Sequence, residues 1–147
     1  MMSSTHSPSV PYYHIVGHTA DTAVEVVARN YSELIDTATQ ALVSILAGSQ
    51  RWAINTAGEM KIATQDPERV LVQWLNEVLF LLATKDVFVQ RASAEPCDNG
   101  YLIRYEATTL NLEQVVLETE VKSATYHGLT VQTLADGNLA ATIVFDL

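Results

Sequence analysis

The chain has 147 residues, the size of one ordinary domain, and its 48% hydrophobic content can build a core and excludes a disordered chain. Eight Lys and Arg residues against 17 Asp and Glu residues give a net charge of −9. So acidic a chain is poorly suited to gripping phosphate backbones, so we expect any work on nucleic acid to proceed through a partner.

The cysteine content and the first residues of the sequence indicate the cellular compartment. A single cysteine, Cys97, excludes an internal disulfide framework and a cysteine-based zinc site. The first residues, MMSSTHSPSVP, lack the apolar segment of a signal peptide, and no apolar run approaches the roughly 20 residues that span a bilayer. We expect a flexible tail over residues 1–11, one domain over residues 12–147, a cytoplasmic location and no membrane partner.

The first elements are two strands and a helix. YYHIV (12–16) and TAVEVVAR (22–29) are rich in β-branched and aromatic residues, which predicts strands joined by a polar step that contains Asp21. Asn30, with Glu33 as its capping-box partner, starts a helix that Gly48 ends. The helical stripe between them consists of Leu34, Ile35, Ala38, Ala41, Leu42, Ile45 and Leu46.

The second helix follows a weaker segment. Residues 51–64 read as a weak strand pair or as an extended stretch. Asp66 is then a predicted N-cap, with Pro67 at the first helical position and Glu68 near the positive end of the helix dipole. The apolar stripe of this helix consists of Val70, Leu71, Trp74, Leu75, Val78, Leu79 and Leu82. We expect Trp74, as a member of this stripe, to lie in the core.

Three dipeptides, Asn99-Gly100, His127-Gly128 and Asp136-Gly137, predict hairpin turns in the remaining sequence. His127 is then a turn residue. The alternation of the last strand places Asp146 on the face opposite Phe145. The predicted fold is a single α+β domain, with two main helices packed on a mostly antiparallel or mixed sheet.

Three carboxylates are candidate metal ligands: those of Asp21, Asp146 and the α-carboxyl group of Leu147. Brought together they would repel one another unless a cation neutralised them, and oxygen ligands favour Mg²⁺, Ca²⁺ or Mn²⁺ over zinc. Spacing alone does not show that the two ends of the domain meet. The alternative, an ordinary turn aspartate and a solvated chain end, stays open.

Other polar residues carry weaker signals. His18 beside Asp21 is a candidate general acid or base, or it forms a hydrogen bond within a tight connection. Lys122 lies in the middle of a predicted strand, and is either a surface lysine or a partner contact. The absence of a phosphate loop, a nucleophile elbow, a zinc-binding motif and a nucleophile–base pair argues against a self-sufficient enzyme.

Four segments together resemble the archease family: GHTADTAVEV near the start, LVQWLNEVLFLL in the second helix, EVKSATYHGLTV later, and VFDL at the end. They occur in the family's order and extend from about Tyr12 to Leu147. The resemblance implies a small cytosolic α+β protein that assists an RtcB-type tRNA-splicing ligase. That ligase joins RNA ends after one of its histidines is guanylylated with GTP and a divalent metal, and the archease promotes guanylylation and multiple turnover.

By the same resemblance, Asp21, Asp146 and Leu147 take the places of the metal ligands, for calcium, magnesium or manganese. Lys122 and Glu77 take the places of residues used in ligase activation. The expected protein is an activator with no catalysis of its own and no direct binding of nucleic acid. Two alternatives stay open: a divalent-metal hydrolase in which the acidic cluster activates water, and a chaperone-like interaction module whose carboxylates are structural.

Overall fold

A computed structural model describes residues 9–17 and 20–147, and these residues form seven strands and two helices. The predicted tail therefore lies mostly outside the described residues, as does His18. The elements are β1 (Tyr12–Gly17), β2 (Asp21–Ala28), α1 (Tyr31–Ala47), β3 (Thr56–Ile62), α2 (Pro67–Lys85), β4 (Val87–Cys97), β5 (Gly100–Thr109), β6 (Ser123–Thr133) and β7 (Leu139–Asp146).

The strands form two antiparallel sheets, so the α+β prediction is confirmed with two sheets in place of one. The first sheet has the order β1-β2-β7-β6, and the second sheet has the order β3-β5-β4. The second sheet takes only one strand from residues 51–64, so the weak strand pair is wrong and an irregular stretch precedes β3.

Both helices bury their apolar stripes against the sheets. Trp74 of α2 is fully buried, as predicted, and its indole N–H donates to the Thr39 hydroxyl of α1 at 2.9 Å. Among the described residues, neither helix is long and apolar enough to cross a membrane.

The helix ends follow the capping chemistry predicted from the sequence, with one shift. The Asn30 side chain accepts from the backbone N–H of Glu33 at 2.9 Å, and Gly48 ends α1 at φ 62°. The Glu33 carboxylate accepts from the backbone N–H of Arg29, not of Asn30. It also binds the Arg29 guanidinium, and these hydrogen bonds lower the pKa of Glu33. Asp66 caps α2 as predicted.

Each helix covers the edge of one sheet with polar side chains. From α1, the Ser32 hydroxyl accepts from the N–H of Ala94, and Asp36 accepts from the N–H of Ala92, both on edge strand β4 at 2.9 Å. Asp36 also binds Arg91, and this hydrogen bond raises the pKa of the guanidinium. Edge amides paired in this way no longer offer a template for another strand.

Side chains of α2 accept hydrogen bonds from the backbone of edge strand β6 in the same way. The Glu68 carboxylate of α2 accepts from the N–H of Val131 at 3.0 Å, and the Asn76 side chain accepts from the N–H of Ala124 at 2.8 Å. These two contacts fix α2 antiparallel to β6.

The predicted hairpin at His127-Gly128 is wrong, because β6 continues through it as one strand. Thr125 pairs with Val144 and Thr130 with Thr142, so residues 126–129 lie opposite a single residue of β7. We call these four residues the β6 bulge. Gly128 has φ 72°, so the positive backbone angle that the sequence signals serves a bulge and not a turn.

The other two turn predictions fare differently. Asp136-Gly137 does lie in the connection between β6 and β7, with Gly137 at φ 89°. Asn99-Gly100 is displaced by one residue: Gly100 already belongs to β5 and pairs with Cys97. A glycine is required at position 100 because the backbone of Ile62 lies close to it, and a Cβ atom there would collide with the Ile62 carbonyl oxygen.

Candidate functional site

The two ends of the domain meet at Asp21 and Asp146. These residues are Cα partners in the antiparallel pairing of β2 with β7, the two central strands of the first sheet. Thr22 and Phe145, their neighbours in the chain, are buried. Because side chains alternate along a strand, the two carboxylates share the opposite face of the sheet.

Leu147 extends this pairing by one step. Its N–H donates to the carbonyl oxygen of Ala20 at 3.2 Å. Hydrogen-bonded and non-hydrogen-bonded pairs alternate in an antiparallel ladder, so Asp21 and Asp146 form a non-hydrogen-bonded pair, in which side chains approach most closely. Like charges directly opposite each other are destabilising, so this position favours a bound cation.

On the other side of Asp146 lies the beginning of β6. Ser123 is the Cα partner of Asp146, and its hydroxyl lies 3.5 Å from the Asp146 carboxylate. The N–H of Lys122 donates to the carbonyl oxygen of Asp146 at 2.8 Å. The Lys122 side chain is exposed and takes part in none of the four ion pairs that the described residues form. Lys122 is therefore available to a partner beside the carboxylate pair.

Glu77 lies on α2, half-buried, directly after a residue that holds this strand in place. The side chain of Asn76 accepts from the N–H of Ala124 at 2.8 Å and donates to its carbonyl oxygen at 3.1 Å. Ala124 is two residues from Lys122. The structure thus places Glu77 close to the start of β6, although the sequence offered no sign that Asn76 makes the connection.

The oxygen atoms around the pair suit a hydrated hard cation. Within residues 9–17 and 20–147, no three His, Cys, Asp or Glu side chains lie close enough to hold a metal ion. Two carboxylates are nevertheless a sufficient protein contribution for a cation such as Mg²⁺, which keeps several of its waters. The carboxyl group of Leu147 would add a third.

One buried side-chain atom of β6 lacks a hydrogen-bond partner. The Thr125 hydroxyl oxygen is buried and has no hydrogen-bond partner among the described residues. Its Cα partner is Val144, two residues before Asp146, so Thr125 points to the same face as the carboxylates. A buried hydroxyl without a protein partner is costly, and an ordered water would satisfy it.

The sequence motifs named two histidines, His18 and His127. His127 is exposed on the β6 bulge, and His18 lies outside the described residues.

A family model supports the resemblance over almost the whole chain. The model of the Archease protein family (MTH1598/TM1083) matches residues 13–147. This span includes all five residues proposed for the site.

Curated relatives match the chain at nearly full length. Protein archease of Methanosarcina barkeri is 28% identical over 137 residues, covering 90% of this chain and 94% of the relative. Protein archease of Thermoplasma acidophilum is 30% identical over 135 residues, covering 92% of this chain and 93% of the relative. A third, from Thermococcus kodakarensis, is 29% identical over 137 residues, with coverage of 88% and 94%.

The fold is shared with a solved structure. The solution structure of Methanobacterium thermoautotrophicum protein 1598 superposes with a TM-score of 0.75 at 21% identity. The similarity covers 92% of this chain and 98% of the other. At this identity the likeness supports the fold.

Proposed function

Because the chain belongs to the Archease protein family, we propose that it is a metal-binding accessory protein of an RtcB-type tRNA-splicing or RNA-repair ligase. Its role would be to promote guanylylation of the ligase and to sustain multiple turnover, without catalysing a reaction itself.

The observation that carries this proposal is the pairing of Asp21 with Asp146 next to Lys122. Residues more than a hundred positions apart in the sequence meet on one face of the sheet. They are two of the residues that the family resemblance marks as ligands. Lys122, which the resemblance marks as the activating lysine, is joined to Asp146 by a backbone hydrogen bond.

The proposed metal ligands are Asp21, Asp146 and the carboxylate of Leu147. A bound Ca²⁺, Mg²⁺ or Mn²⁺ would supply positive charge that neutralises these groups and attracts phosphate oxygens. The β2–β7 ladder sets the spacing of the two aspartates, and the Ser123 hydroxyl at 3.5 Å orients Asp146 from the other side.

The proposed contact with the ligase runs through Lys122. An ammonium group is a compact, mobile donor suited to a phosphate or a carboxylate of the partner. The two hydrogen bonds between Asn76 and Ala124 hold the backbone near Lys122, and Glu77 adds an acidic group on the same helix.

The net charge of −9 supports a protein partner over RNA. A ligase that holds RNA must present Lys and Arg to the phosphate backbone, and an acidic activator is attracted to such a surface. Complementary charge of this kind accelerates the encounter and orients it. We therefore propose that the chain acts in the cytoplasm by binding the ligase and does not bind RNA directly.

The experiment that tests the proposal measures covalent guanylylation of the purified ligase with labelled GTP and a divalent metal. We expect the parent chain to raise the rate. Lys122→Ala should lower this stimulation at least about tenfold, a loss of roughly 1.4 kcal/mol. Lys61→Ala is the matched control, because Lys61 is an exposed strand lysine of the second sheet.

Three results would contradict the proposal. The first is a parent chain that leaves guanylylation unchanged. The second is Lys122→Ala stimulating as well as the parent. The third is the chain alone, with metal, hydrolysing members of a panel of phosphoesters, which would favour the metal hydrolase.

A further inference from the structure

A groove of about 310 Å³ opens beside the candidate site, between α2 and the segment of residues 110–122. Its walls are mainly aliphatic and include Leu46, Leu79, Leu82, Ala83, Leu117 and Val121. Nothing that the family resemblance implies assigns a role to this groove.

Hydrogen bonds fix the segment of residues 110–122 against the rest of the domain. The N–H of Leu110 donates to the carbonyl oxygen of Asp86 at 2.8 Å, and the N–H of Glu118 donates to that of Leu46 at 2.8 Å. The Gln50 side chain donates to the carbonyl oxygen of Val116 at 3.0 Å. The segment is therefore fixed against the ends of both helices, and the groove is preformed.

Exposed apolar side chains lie on the elements that form the groove. Phe80 of α2 is 54% exposed, and Leu112 and Val116 of the segment are 39% and 81% exposed. Of these three, Leu112 lines the groove, so the aliphatic wall reaches the protein surface, and exposed apolar surface of this kind is found at protein contacts. Because Thr119 and Glu120 are the only polar residues in the lining, a small ligand would find few groups to orient it.

The groove is continuous with the candidate site. Val121 lines it, and Lys122 follows directly. The Asn76 side chain on α2 is hydrogen-bonded to Ala124, and Phe80 follows Asn76 by one turn on the same face of this helix. A partner that contacts Lys122 therefore also reaches the groove.

The charged residues of the segment 110–122 indicate the chemistry of the occupant. The segment of residues 110–122 carries three glutamates, Glu113, Glu118 and Glu120, against the single lysine Lys122. Glu120 itself lines the groove. A segment with positive side chains on either side of an apolar residue would match both the walls and the rim.

We propose that this groove docks a segment of the partner ligase in which a large apolar side chain is flanked by Lys or Arg residues. This inference rests on the proposed function, which supplies the partner. In this arrangement docking and activation are separate: the groove sets the affinity, and Lys122 with the carboxylate pair sets the rate of guanylylation in the complex.

The test uses Ala83→Arg, since Ala83 lines the groove yet is exposed, and the variant adds bulk and positive charge without removing a core side chain. Thr84→Arg is the matched control on the next residue, which is exposed and outside the lining. Calorimetry gives the Kd for the ligase, and the guanylylation assay gives the maximal rate at saturating activator.

We expect Ala83→Arg to raise the Kd and the concentration for half-maximal stimulation at least about tenfold, with the maximal rate unchanged. Thr84→Arg should match the parent in both measurements, and Phe80→Ala should weaken binding in the same direction as Ala83→Arg.

The two proposals fail in different ways. If the parent binds and stimulates the ligase and Ala83→Arg does so equally well, the docking surface is overturned and the proposed function stands. If Ala83→Arg lowers the maximal rate with the Kd unchanged, the separation of docking from activation is overturned. If the parent neither binds nor stimulates, both proposals fall.

Discussion

At the scale of single residues, the facing carboxylates of Asp21 and Asp146 set the first prediction. Asp21→Asn removes one charge from a cross-strand pair whose repulsion costs up to about 1 kcal/mol. We expect the Tm without metal to stay the same or to rise slightly. The parent should gain several degrees with Ca²⁺ or Mn²⁺ at a hundredfold excess over Kd, which is worth about 2.7 kcal/mol, and the variant should lose this gain.

The matched control is Glu25→Gln, because Glu25 is an exposed carboxylate on the same strand and face, paired with Thr142. It should retain the full metal-dependent shift in calorimetry or fluorescence melting. Extending the chain by two glycines after Leu147 should reduce the shift, because the terminal carboxylate becomes a peptide carbonyl. A shift in Asp21→Asn equal to that of the parent would mean that the metal, if bound, lies elsewhere.

A second residue-scale prediction concerns Gly128 in the β6 bulge. Its φ of 72° disfavours any residue with a Cβ atom, at a cost of roughly 1–2 kcal/mol. The space itself is adequate, since a Cβ atom would lie 3.5 Å from the Val144 side chain. Gly128→Ala should therefore lower the free energy of unfolding, measured by urea titration, by that amount. Gly17→Ala in β1, where φ is not positive and nothing lies within 4 Å, should be neutral; equal losses would show that φ is not the cause.

At the scale of elements, each helix completes the edge of one sheet, and Asn76 is the clearest case. Asn76→Ala leaves the N–H and carbonyl groups of Ala124 without their side-chain partner, which costs about 1–3 kcal/mol. We expect a loss of several degrees in Tm and weaker stimulation of the ligase, because Lys122 directly precedes β6, to which Ala124 belongs. Gln73→Ala, on the exposed side of α2 one turn earlier, should change stability by no more than about 0.5 kcal/mol. The prediction is contradicted if the two variants melt together.

The same scale shows which elements the sequence predicts and why. Local signals located α1 and α2, since Asn30 and Asp66 form the expected caps and the stripes have helical spacing. The β6 bulge escaped prediction because a Gly with positive φ serves a turn or a bulge equally well, and only the partner strand decides. The role of Asn76 escaped it too, because its contact joins residues 48 positions apart.

At the scale of the whole molecule, the topology brings the site together. β7 pairs with β2 in the middle of the first sheet, so the last strand of the domain lies against the second one. The sequence alone left open whether Asp21 and Asp146 meet, because no periodicity specifies which strands become neighbours. The family resemblance implied that they share a site, and the strand order shows that they are cross-strand partners.

The net charge of the molecule sets the last prediction, which concerns the rate of association with the ligase. A chain of charge −9 approaching a basic surface is steered over distances comparable with the Debye length, about 10 Å at 0.1 M salt and about 3 Å at 1 M. Stopped-flow measurements between these concentrations should show an association rate that falls by about tenfold or more, with little change in dissociation.

The double variant Asp98→Asn, Glu106→Gln changes the charge from −9 to −7 at two exposed positions on the strands and turn of the second sheet. It should associate more slowly than the parent at low salt and equally fast at high salt, because the field and not a local contact has changed. Association that is independent of salt would leave the acidic surface without a part in finding the ligase.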